Sequence, residues 1–335
     1  MTTGATMVLL VLAVGARTQE ATPDAAALRA RYAEAQKRHA GGEVVPARAI
    51  MKEILDADPR NFEIAFSIAR WLCMDRGDFV GGEPFARRAA ELHPDSADAV
   101  NVLGACLNST GRSDEAEVVY RTGVERFASE SAMHYGLGMA CAQQKKYLEA
   151  LSAFSKAIEL GPTSGLYRFS KGECHLNLRE WESAERELRL AVQLKGHDDA
   201  QWRLGEVLAR QGKDAEAEKT LQLALNEGSK LTRWSAALQL GIFFFEHGRH
   251  DDAAAILHQA TKHRPEGRDA WMWLARAERA LGHEAASTRA LKKYRELRAI
   301  DDREEEERLL ARIQAQLEGG RAPPSDEKPR PPDHE

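Results

Sequence analysis

Small residues recur through this chain with a period of about 34 residues. Ala35, Ala69, Gly104, Gly138, Gly172, Gly205, Gly241 and Ala275 follow one another at intervals of 34, 35, 34, 34, 33, 36 and 34. A second series runs Ala47, Gly82, Ala116, Ala150, Ala184, Ala217, Ala253 and Ser287. A third, Ile54, Ala89, Gly123, Ala157, Ala191, Ala224, Ala260 and Tyr294, trails the second by seven residues throughout. Chance does not keep three series in step over that length. Such a period signals a short structural unit that cannot cover its own apolar face, so that neighbouring units must stack.

Each unit reads as two amphipathic helices joined by a short turn. Turn glycines Gly42, Gly77, Gly111, Gly212, Gly248 and Gly282 lie between the first and second series, and Pro59, Pro94, Pro162 and Pro265 close four of the units. In the fourth, Leu137, Cys141 and Leu148 lie on one side of the hairpin, with Leu151, Phe154, Ala157 and Ile158 on the other. Aromatics are only 7% of the chain while Ala, Leu, Glu and Arg abound, which favours helix over sheet. Small residues in the first two series let the paired helices approach closely.

These residues resemble the tetratricopeptide repeat family. The fourth unit carries Leu137-Gly138, Tyr147, Ala150, Phe154, Ala157 and Pro162 where that family's pattern asks for them, and the seventh carries Leu240-Gly241, Ala253, Ala260 and Pro265. The eighth opens with Trp271 and Leu274-Ala275 and decays after Ser287. The resemblance implies an all-α fold, a right-handed α-solenoid of stacked helix-turn-helix hairpins. Eight repeats are expected, at about 28–61, 62–96, 97–130, 131–164, 165–197, 198–230, 234–267 and 268–298. The second is irregular, with one extra residue around Gly77 and Gly81-Gly82, and Leu231 to Arg233 fall between the sixth and seventh. A capping helix is expected at 299–318, with Leu309, Leu310, Ile313 and Leu317 on one face and charge outward.

The ends differ in composition. Met7 to Ala16 is an unbroken run of apolar and small residues, too short as a helix to span a membrane. Residues 1–16 are therefore expected to be a signal peptide ending near Val14-Gly15-Ala16, with 17–27 a linker and the protein periplasmic or secreted. No Lys or Arg precedes the run, and a misassigned start or a disordered tail in a cytoplasmic protein are the alternatives. At 319–335, Pro323, Pro324, Pro329, Pro331 and Pro332 crowd among Gly and charge, the composition of a disordered tail.

The chemistry of catalysis finds no foothold. There is no His-Glu-x-x-His, no Gly-x-Ser-x-Gly and no Cys-x-x-Cys. The stretch Gly205 to Asp214 imitates a phosphate loop, but its glycines are too far apart and Asp214 stands where a Ser or Thr would hold magnesium. Cys73, Cys106, Cys141 and Cys174 recur once per repeat in first helices, where helix spacing disfavours disulfides, and read as buried thiols. His175 beside Cys174 lacks clustered ligand spacing, so no metal and no cofactor is expected, and His247 and His250 read as surface turn residues. The net charge of -5, with basic residues scattered, argues against nucleic acid.

In the family, the inner face of the first helices is the usual docking surface for peptides or helices. Mapped onto this chain, that face holds Tyr32, Phe66, Asn101, Tyr135, Phe169, Trp202, Leu238 and Met272, each three residues before the small residue of its unit. Polar companions are Arg70, Asn108, Gln143, Asn177, Arg210 and Arg276, with Arg279 beyond. The same register serves packing in the family, so core positions are the alternative for any one of them. The Lys and Asn clamp of chaperone-binding members is absent, since its registers hold Tyr135, Met139, Phe169 and Glu173. The expected function is protein binding without catalysis. The alternative is a structural subunit that self-associates or docks an enzyme through its outer face and ends.

Overall fold

The computed structural model describes residues 25–317, so the expectations for 1–16 and 319–335 lie outside the described residues. The described chain falls into two compact segments, one up to His93 and one from Pro94. The first holds α1 (Ala25–Ala40), α2 (Val44–Ala57), α3 (Phe62–Arg70), continued by a π-helical turn at Trp71–Asp75, and α4 (Phe79–Leu92). The second holds α5 (Ala97–Ser109), α6 (Ser113–Arg126), α7 (Ser131–Gln143), α8 (Tyr147–Leu160), α9 (Gly165–Asn177) and α10 (Trp181–Gln193). It continues with α11 (Ala200–Arg210), α12 (Asp214–Glu227), α13 (Lys230–Glu246), α14 (His250–His263), α15 (Arg268–Ala280) and α16 (Glu284–Leu317). This is an all-α array of stacked helix pairs, with no strand among the described residues.

The small-residue series mark where helices touch. Ala47, Ala116, Ala150, Ala184, Ala217 and Ala253 are fully buried, and so is Ala35 in the first series. The approach is close at Gly138, where a β-carbon would lie 2.5 Å from the Phe154 ring. Leu257 stands in the same relation to Gly241, again at 2.5 Å. In the segment from Pro94, α5 also packs on α7, α7 on α9, α11 on α13 and α13 on α15. No pair of successive second helices comes as close among the described residues, so the first helices form the inner side of that segment.

Seven of the eight hairpin turns close the same way. The amide of Arg112 donates to the Leu107 carbonyl at 2.9 Å, Lys146 to Cys141 at 2.9 Å and Lys213 to Leu208 at 3.0 Å. This is a Schellman closure, whose penultimate residue is left-handed. Gly fills that position in six repeats, while Lys145 (φ 61°) and Arg179 (φ 58°) adopt it in the fourth and fifth.

The irregularities have local causes. In the second repeat Gly82 follows Ala69 by 13 positions, where the equivalent separation elsewhere is 12. The π-helical turn absorbs the extra one, and the closing bond reaches from the Asp78 amide to the Leu72 carbonyl, one residue further than elsewhere, at 2.8 Å. Leu231 to Arg233 are not an insertion between repeats, as expected, but the first turn of α13. Ser229 caps that helix by accepting from the Thr232 amide, so the added residues lengthen the helix. The linker expected at 17–27 likewise gives way to α1 from Ala25.

The capping helix is not a separate element. Nothing between His283 and Leu317 is Gly or Pro, and α16 runs unbroken for 34 residues as both the second helix of the last repeat and its extension. Of the apolar face expected there, Leu310 is exposed.

A polar bridge also recurs between repeats. Glu117, one residue after the small Ala116, accepts from Lys146 at 2.8 Å and from Gln144 at 2.8 Å, while Arg121 lies 2.7 Å away. Glu185 repeats the pattern with Lys213 and Arg189, and Glu218 pairs with Arg249. In the first segment the polarity is exchanged: Arg48 takes the Glu117 register and binds Asp78, which His39 also approaches.

Candidate interaction face

Helical geometry predicts which positions of a first helix can meet a partner. At about 100° per residue, the position three before the small residue lies some 60° from the buried stripe and the position four after it about 40°. The positions one and five after it lie near 100° and 140°, progressively closer to solvent.

The structure follows this order. Asn108, four after Gly104, is buried and donates to the Gly136 carbonyl at 3.3 Å. Gln143, Asn177 and Arg210, five after their small residues, are exposed, as are Arg70 and Arg276 at the position one after.

The aromatic register is mixed. In the first segment Tyr32 is half-buried, donates to the Ser67 carbonyl at 3.2 Å and meets Trp71 edge-on at 6.5 Å. Phe66 is half-buried and stacks on Phe62. In the second segment Asn101, Tyr135, Phe169 and Met272 are half-buried, whereas Trp202 and Leu238 retain only 9% and 8% exposure. Those two are core residues in an otherwise partly open row.

Neighbour contacts explain the difference. The Tyr135 ring stacks on Tyr167 at 4.8 Å, and its hydroxyl lies 3.4 Å from Ser170 Oγ. Phe169 stacks on His197 at 4.1 Å with the planes 6° apart. Asn101 accepts from the Tyr120 hydroxyl. Trp202 is pinned on two sides: its indole donates to Asp199 at 2.8 Å, and the Arg203 guanidinium covers the ring at 4.1 Å.

Several further residues belong to this face: Met139, Glu173, Glu206 and Ile242, one residue after their small residues, and Glu246, five after. Met139 and Glu173 already stood at inner-face registers in the sequence, and the angular rule that exposes Arg276 and Arg210 would have found the others. Between α11 and α13, Glu206, Ile242 and Glu246 help line an open cavity of about 250 Å³. Leu221, Ala209, Ile242 and Phe243 give its apolar wall, and Glu206, Arg210, Gln239 and Glu246 its polar one.

Charge gathers beside this cavity. Arg203 lies 3.0 Å from both Glu173 and Glu206. Burial pushes the Glu173 carboxyl up, and neighbouring Glu206 and Asp199 push it the same way against the pull of Arg203.

One cluster of metal-ligating types occurs among the described residues, Glu117, Cys141 and Glu149. Lys146 and Arg121 already occupy the Glu117 carboxylate, and burial raises the Cys141 thiol above its ordinary value. A metal ion would meet two resident cations there, so the donor set does not suit a metal. No helix among the described residues is long and apolar enough to cross a membrane.

Comparisons with known proteins agree with the fold. The chain is 25% identical over 179 residues to anaphase-promoting complex subunit 3 of Schizosaccharomyces pombe, covering 53% of this chain and 27% of that protein. It is 21% identical over 223 residues to the BBSome complex member BBS4 of Bos taurus, covering 66% of this chain and 42% of that one. E3 ubiquitin-protein ligase CHIP of Arabidopsis thaliana is 29% identical over 92 residues, 27% of this chain and 33% of the ligase. The chain thus spans less than half the length of each of these relatives.

Among solved structures, the APC/C hetero-tetramer Cut9-Hcn1 superposes with a TM-score of 0.58 at 17% identity, covering 76% of this chain and 49% of that one. A tetratricopeptide repeat protein from Parabacteroides merdae gives 0.55 at 14%, covering 70% and 93%. At such identities the likeness is one of fold. The sequence profile described as Tetratricopeptide repeat matches residues 72–127, 110–165, 169–231 and 238–305. With most of the chain so matched and its helix pairs stacked in the same register, the protein belongs to the tetratricopeptide repeat family.

Proposed function

We propose that this chain is a non-catalytic interaction module that seats a peptide or helix of another protein against its first-helix face. One observation carries the reading. Tyr135, Phe169 and Met272, at equivalent registers of α7, α9 and α15, stay half-exposed on the inner side of the stack, flanked by exposed Gln143, Asn177 and Arg210. Aromatic and Arg side chains in such a setting are the residues that dominate binding energies. The relatives named as complex members are consistent with a role of this kind.

The test is affinity capture with the native chain and with a variant carrying Met139→Ala, Asn177→Ala and Ile242→Ala. Circular dichroism checks that both have the same helix content. A protein retained by the native chain and lost by the variant supports the face as the binding site. Identical retention by both removes it.

A structural role through the second helices has its own support, because Leu148 and Val118 are 74% and 66% exposed on α8 and α6. Light scattering across a concentration series tests self-assembly through them. A mass that rises with concentration and is restored to the monomer by Leu148→Ser with Val118→Ser favours that role.

A further inference from the structure

Building on the first-helix reading, we propose that the cavity between α11 and α13 takes a Lys or Arg side chain of the partner segment. Its volume suits one long side chain, since about 150 Å³ of apolar cavity already accommodates benzene and this one has about 250 Å³. Ile242, Phe243, Leu221 and Ala209 supply apolar surface for a methylene stem. Glu206 and Glu246 supply carboxylates for a cationic head.

The electrostatics select a cation over an anion or a neutral group. Glu173, Asp199, Glu206 and Glu246 bring four carboxylates to this stretch of the face, against the two guanidiniums of Arg203 and Arg210. Arg203 is divided between Glu173 and Glu206. Asp199 gives its Oδ1 to the Trp202 indole and the Thr232 hydroxyl, with His197 Nδ1 3.9 Å from its Oδ2, and it shares Arg203 with the two glutamates. Glu246 is exposed. A cation between Glu206 and Glu246 would supply the balance, and Arg210 in the same polar wall would meet an acidic neighbour in the partner.

The experiment uses the full chain and a phage-displayed library of random peptides. An enriched peptide is then synthesised with its basic position as Lys, as norleucine, which keeps the stem and drops the charge, and as Glu. Enriched sequences should share a Lys or Arg. The norleucine peptide should bind about tenfold more weakly, and the Glu peptide more weakly still. Glu246→Gln, alone and with Glu206→Gln, should abolish the preference for Lys over norleucine, whereas Arg210→Ala should strengthen the Lys peptide. Glu246 is exposed, so its single variant reads charge without disturbing the fold.

Two results overturn the assignment differently. Peptides that bind the native chain and not the Met139, Asn177 and Ile242 variant, yet ignore Glu246→Gln and share no cation, leave the face as the docking surface and remove the cation pocket. A library from which nothing is enriched removes both.

Discussion

Glu117 and Lys146 hold two consecutive repeats together, the carboxylate at the start of α6 accepting from the ammonium in the turn before α8 at 2.8 Å. The hydrogen bond from Lys146, with those from Arg121 and Gln144, outweighs burial and holds the Glu117 carboxyl at about 2. At Glu185 burial pushes upward, and Lys213 and Arg189 overcome it to the same value of about 2. A depressed carboxyl pKa contributes stability that is complete above its unfolded value and is lost as pH falls through the folded one. Denaturant midpoints should therefore fall between pH 4.5 and pH 2. A variant with Glu117→Gln and Glu185→Gln should be less stable at neutral pH and show a shallower fall. An equal slope in both proteins would contradict the bridge.

Gly138 admits no side chain. Its β-carbon would lie 2.5 Å from Phe154, a ring fixed between α7 and α8 and fully buried. Gly138→Leu should cost about 1–3 kcal/mol through overpacking, measured by urea unfolding. Shortening the ring as well, in Gly138→Leu with Phe154→Ala, should recover part of the loss relative to the two single changes, because the sites share one volume.

Two turns are built from residues that resist them. Lys145 and Arg179 occupy the left-handed position that Gly fills in the other six repeats. A left-handed non-glycine residue costs roughly 1–2 kcal/mol, partly offset by the entropy a glycine loses on folding. Lys145→Gly and Arg179→Gly should each raise stability by up to about 1 kcal/mol, read as higher denaturant midpoints with unchanged slopes.

The thiols should be inert in the folded protein. All four cysteines are buried thiols outside any disulfide. Burial above all, with Glu173 and Cys141 nearby, pushes Cys174 up to about 12. The thiolate is the reactive form, so a chromogenic disulfide reagent at neutral pH should label none of the four until guanidinium is added. Rapid labelling of the native chain would contradict this packing.

Trp202 and Arg210 separate core from surface on one helix. Trp202 is a buried residue of α11, and Trp202→Ala should destabilise by about 3–5 kcal/mol. Arg210, two turns on and exposed, should change stability by no more than about 0.5 kcal/mol as Arg210→Ala. Thermal unfolding of the two variants distinguishes them, and a benign Trp202→Ala would return that residue to the open face.

The hairpin and its period were legible in the chain because close helix packing leaves room only for hydrogen or methyl at the crossing points. Gly138 and Ala150 announce that contact whatever surrounds them. The turn positions were equally local, set by backbone geometry at Gly111 or Gly212. The exposure of a side chain beside that stripe was not local. Tyr135 and Trp202 share one register, yet Asp199, Arg203 and the packing of the next first helix bury Trp202 while Tyr135 stays half-open. The unbroken course of α16 depended on the absence of any breaker, which the acidic change of composition after Ile300 masked. The cavity between α11 and α13 belongs to neither helix alone. Its carboxylates converge from residues forty positions apart, because only stacking of one repeat on the next brings Glu206 and Glu246 to a common wall.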